Sequence, residues 1–104
     1  MNSRVKRALD LKDERRRLIE EMVAEHGPEW SKPYQPGTFG CHELLDRTSV
    51  VADMVERDIL SHPACVQNQG WFALAEKAVS ALQELYQQIG KAHLDDDGGA
   101  SDGS

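Results

Sequence analysis

The run His42-Glu43-Leu44-Leu45-Asp46 puts an imidazole and two carboxylates within little more than one helical turn. In zinc peptidases the pattern His-Glu-x-x-His sets two imidazoles on one helix face, four residues apart, with the glutamate as general base. Here Asp46 stands where the second histidine would be. A carboxylate can ligate zinc, but a catalytic site needs a third protein ligand, and no spacing in the chain marks one. The plainer reading is an exposed first turn, in which acids are favoured by the helix dipole. Glu-x-x-His, the repeat of di-iron bundles, is absent: the third residue after Glu43, Glu56, Glu76 and Glu84 is Asp46, Ile59, Val79 and Gln87. Gly37 and Gly40 have neither the spacing nor the lysine of a phosphate loop. We therefore expect no catalytic residue, no metal and no cofactor.

A second group invites a binding reading. Trp30, Tyr34 and Phe39 crowd the segment 27–41, together with Lys32, Thr38 and three of the four prolines. Arg47 and Thr48 follow close by, with His42 between them and the loop. Aromatic planes stack on a flat ligand such as a nucleobase, and arginine is the preferred bidentate donor to phosphate. The start of a helix adds free backbone N–H groups. These eight residues, Trp30, Lys32, Tyr34, Thr38, Phe39, His42, Arg47 and Thr48, are the candidate ligand site. The competing structural reading pairs Arg47 with Glu43 and folds the rings onto neighbouring helices.

Helices must position these groups. Residues 1–26 read as a charged N-terminal helix with an apolar stripe through Ala8, Leu11, Leu18 and Met22, widened by Ile19 and Val23. Asp13 and Arg17 sit four apart in the favourable order. Gly27-Pro28 ends this helix. Residues 27–40 form a Pro/Gly/aromatic loop. Residues 41–94 read as two helices. The first has a seam of Leu45, Thr48, Ala52, Val55 and Ile59, flanked by Leu44, Val51 and Met54, with i, i+4 pairs Glu43–Arg47 and Asp53–Arg57. Pro63 ends it after His62, and Asn68 is the expected N-cap of the next. The last helix carries one seam of Phe72, Ala75, Val79, Leu82, Tyr86 and Ile89, and a second of Leu74, Ala78, Ala81 and Leu85. Gly90 is its expected C-cap, His62 and His93 are expected at helix C-termini, and residues 95–104 read as a disordered acidic tail. The fold class is all-α: an antiparallel helical hairpin plus an N-terminal helix. Its apolar surface exceeds what one chain can cover, so a bundle completed by homo-oligomerisation is expected.

Composition narrows the function. Eighteen acidic against twelve basic residues give a formal net charge of -6, which argues against a polymeric nucleic acid as partner. Residues 1–26 nevertheless hold seven Lys or Arg against six acids, and residues 27–104 hold five against twelve. No stretch reaches 18 apolar residues, so no membrane span is expected, and the charged first residues lack the apolar core of a signal peptide. Cys41 and Cys65, at the two ends of one helix, are roughly 30 Å apart by helical rise, beyond the ~7 Å reach of a disulfide. Two free thiols point to a reducing cytoplasm.

The run His42–Pro63, continued by Gly70-Trp71-Phe72-Ala73-Leu74-Ala75 and by Leu82-Gln83-Glu84-Leu85-Tyr86-Gln87-Gln88-Ile89-Gly90, resembles small helical-hairpin proteins of phages and bacteria. These include the cyclic-nucleotide sponges of the anti-CBASS and anti-Thoeris type, which assemble into oligomers and bind cyclic signals at subunit contacts. The resemblance implies a non-enzymatic protein that sequesters a small nucleotide-like ligand. The alternative is a structural or regulatory helical module docking a protein partner. A metal-dependent hydrolase on His42, Glu43 and Asp46 is the third reading.

Overall fold

A computed structural model describes the backbone of residues 3–102 and the side chains of residues 10–95. Every regular element among the described residues is helical. None of these helices is long and apolar enough to cross a membrane. The chain divides into two compact units, Met1–Lys32 and Pro33–Ser104.

The first unit is α1, Ser3–His26, followed by turns. Gly27 ends it as expected, with φ of +90° and its N–H donating to the Val23 carbonyl at 2.8 Å. The stripe is bare: Leu11, Leu18, Met22 and Val23 are all exposed, and Ala8 lies outside the described side chains. Arg17 does not pair with Asp13. It donates to Glu14 at 2.6 Å and to Glu21 at 2.7 Å, one turn away in each direction. That hydrogen bond and the guanidinium charge hold the Glu14 carboxyl below the usual carboxylate range.

The second unit contains α2 (Phe39–Val55), a π-helical turn (Glu56–Leu60), the single turn α3 (Pro63–Val66) and the long α4 (Gln69–Asp102). Along α2 the less exposed residues include Cys41, Leu45, Thr48, Ala52 and Val55; along α4 they include Ala75, Val79, Leu82, Ile89 and His93. Both sets step by three and four, the 3.5-residue period of helices packed seam to seam. Contacts fix the register. The His42 and His93 rings lie 5.7 Å apart. A Cβ built on Gly90 would sit 3.5 Å from Leu45 Cδ1, and Gln83 Nε2 approaches Glu56 Oε2 at 3.5 Å. Across these three contacts the residue numbers rise along α2 as they fall along α4.

Five local expectations are corrected. Ile59 is not part of the seam and is 52% exposed. The π turn admits one extra residue, which rotates Ile59 outward and leaves Leu60 half-buried instead. Arg57 turns from Asp53 to its neighbour Asp58, at 3.1 Å. His62 caps the start of α3, its Nδ1 accepting the Ala64 N–H at 3.0 Å, where Pro63 occupies the first helical position. Gly90 lies inside α4, which continues to Asp102 through the segment expected to be a tail. Asn68 does cap α4, Oδ1 accepting the Trp71 N–H at 3.0 Å.

Candidate functional site

Local chemistry consumes much of the candidate group. Thr38 is the N-cap of α2: its hydroxyl oxygen accepts the Cys41 N–H at 3.3 Å while its O–H donates to the Gln35 carbonyl at 2.6 Å. The Thr48 hydroxyl is buried in the seam and donates to the Leu44 carbonyl at 2.8 Å. Arg47 meets Glu43 at 3.5 Å on an exposed surface, the pairing that the i, i+4 spacing encodes. Trp30, half-buried, and Lys32, paired with Glu29 at 2.9 Å, belong to the first unit; the other six candidates belong to the second.

The loop before α2 is tied down within its own unit. The Gly37 N–H donates to His93 Nδ1 at 2.9 Å, across 56 residues of sequence. His93 is 8% exposed, and the exposed His42 covers one side of it. Tyr34 lies over the backbone of Gly40: a Cβ there would collide with the Pro33 carbonyl oxygen and the Tyr34 ring. Two rings remain outward, Phe39 at 80% and Tyr34 at 60% exposure.

Concavities open elsewhere. An apolar one of about 570 Å³ lies between the π turn, α3 and the start of α4, lined by Ile59, His62, Cys65, Trp71 and Leu74 together with Asp58. A polar one of about 400 Å³ lies between Ser49 and Asp53 of α2 and Gln83 and Gln87 of α4. Neither takes a residue from the candidate ligand group. The apolar concavity was missed because Ile59 reads as core without the π turn. Its one sequence signal is that Trp71 prolongs the second α4 stripe, Leu74-Ala78-Ala81-Leu85, by a further three-residue step.

His42, Glu43 and Asp46 are all exposed on the first turns of α2. Among the described residues no three His, Cys, Asp or Glu side chains converge on a point that could hold a metal ion. Cys41 and Cys65 are free thiols, each buried. Comparison of the chain with protein-family models, with curated proteins and with solved structures gives no match.

Proposed function

We propose that this chain is a non-enzymatic helical module that works by docking protein, with a second copy of itself as its first partner. On this reading α2 and α4 form an antiparallel hairpin whose core is completed as a bundle by self-association, in the reducing setting that two free thiols favour. One observation carries it: among the described residues no large side chain is fully buried, while large apolar ones on both α2 and α4 stay bare. A lone hairpin that hides so little apolar surface lacks the burial that stabilises a domain of this size. Sedimentation equilibrium across micromolar concentrations tests the reading; a monomer throughout would remove it.

Sequestration of a small cyclic nucleotide is the second reading. It is favoured by the bare Phe39 and Tyr34 rings at the head of α2, where a flat ligand could stack. Melting with a panel of cyclic nucleotides tests it. An unchanged melting temperature for every member would leave those rings to a protein contact.

A further inference from the structure

The two broad faces of the α2/α4 pair differ in kind. One carries the polar concavity of Ser49, Asp53, Gln83 and Gln87. The other carries the apolar concavity, to which α2 and the π turn contribute Asp58 and Ile59 and α4 contributes Trp71 and Leu74. Helical spacing extends this apolar face along both helices. On α2 it takes Leu44, Arg47, Val51 and Met54 as far as the π turn, where Asp58 and Ile59 line the concavity on the same side; on α4 it takes Trp71, Leu74, Ala78, Ala81 and Leu85. The six large apolar residues among them are 44–66% exposed. At roughly 100 Å² of bare side chain each, they leave on the order of 600 Å² per copy, so two copies reach the ~1,200 Å² at which stable interfaces begin. That is also about the largest apolar patch, ~300–600 Å², found on an ordinary monomer.

Resting on the self-association reading above, we propose that this face pairs with the same face of a second copy about a two-fold axis running across the helices, so that α2 lies antiparallel on α2 of its partner. The residues are self-complementary about one point. With the axis midway between Val51 and Met54, Val51 of each copy meets Met54 of the other. The same axis sets Arg47 of each copy opposite Asp58 of the other, an attractive pair formed twice. The contacts of His42 with His93 and of Leu45 with Gly90 place Leu82 and Gln83 across from that midpoint. Leu85 of one copy therefore arrives level with Ser80 of the other, one residue from the small Ala81 on the same face. At each end Leu44, 51% exposed, arrives level with Ser61, beside the concavity of Ile59, Trp71 and Leu74 in the opposite copy. A patch that matches itself in shape and charge is what an isologous dimer requires.

Charge exchange tests the register. Arg47 and Asp58 are exposed, with side-chain exposures of 73% and 55%, so changing them leaves the fold intact, as far-UV circular dichroism would verify. R47E and D58R each set like charges across the axis twice and are expected to weaken the dimer about five- to thirtyfold. The double variant R47E/D58R exchanges the signs and restores affinity to within a fewfold. Repulsion within one helix, of R47E with Glu43 or D58R with Arg57, is not relieved in the double variant, so rescue reports the contact between copies. Mixing V51C with M54C chains under mild oxidation should give a 51–54 cross-link identifiable by peptide mass. Wild-type chain that is monomeric throughout overturns this proposal together with the self-association beneath it. An oligomer with neutral charge variants and no 51–54 cross-link overturns the register alone.

Discussion

His93 and Thr38 hold the same loop from opposite directions, one through space and one through the chain. His93 Nδ1 accepts the Gly37 N–H in a part-buried contact, so removing the buried ring strands that donor and opens a cavity. H93A is expected to cost about 2–4 kcal/mol, the sum of a lost part-buried hydrogen bond and a lost buried ring. Amide exchange localises the effect: the Gly37 amide should lose its protection in H93A while amides in the middle of α2 keep theirs. Equal loss everywhere would make His93 a packing residue only. Gly40 supplies the other fixed point. A Cβ there meets backbone, the Pro33 carbonyl oxygen, as well as the Tyr34 ring, and a carbonyl oxygen cannot swing aside as a flexible side chain does. G40A should destabilise by about 1–3 kcal/mol, the range of overpacking substitutions, and chemical denaturation would register it. The candidate ligand residues Thr38 and Thr48 are already hydrogen-bonded within the loop and helix, which leaves Phe39 and Tyr34 as the groups free to meet a ligand.

Among the elements, α4 sets the length of the pairing with α2, and Gly90 is its weakest link. The helix passes straight through this glycine, and a Cβ there would make an ordinary 3.5 Å contact with Leu45 Cδ1. G90A should therefore stabilise by about 0.5–1 kcal/mol, because alanine restricts the unfolded chain more and adds a methyl to the seam. Thermal melting checks this: the transition should rise by a few degrees, and a fall would mean that Leu45 cannot give way. A glycine before Lys91 reads locally as a helix end, yet Tyr86, Ile89 and His93 step by three and then four across it. The seam of α2 was legible in the same way, since Leu45, Thr48, Ala52 and Val55 follow a period that depends only on local residue types; on α4 Ala75, Val79, Leu82 and Ile89 keep that period, whereas Phe72 and Tyr86, expected in the same seam, are exposed. The π turn was not, because an extra residue in one turn is a choice made by tertiary packing, and it alone moves Ile59 from core to surface. Of the candidate site, the Glu43–Arg47 pair was legible from spacing, whereas the Gly37–His93 contact spans 56 residues and exists only once α2 lies against α4.

For the whole molecule, association and folding are coupled quantities. If the apolar face of the α2/α4 pair is covered only in a dimer, the melting equilibrium runs from one folded dimer to two unfolded chains, and mass action makes its midpoint depend on protein concentration. Two chains of 104 residues absorb on the order of 140 kcal/mol on unfolding, at ~0.7 kcal/mol per residue. With that enthalpy, each tenfold rise in concentration should lift the midpoint by about 3–4 °C. A monomer gives no slope at all. The charge variants sharpen the reading: R47E should lower the midpoint and keep the slope as long as the dimer survives, and R47E/D58R should return both to those of the wild type. A nucleotide stacked on Phe39 and Tyr34 acts differently, raising the midpoint with ligand concentration at a fixed amount of protein. The two dependences are separable in one set of melts. A slope with protein and none with nucleotide assigns the exposed apolar surface to a second copy, and the reverse pattern assigns the exposed rings to a ligand.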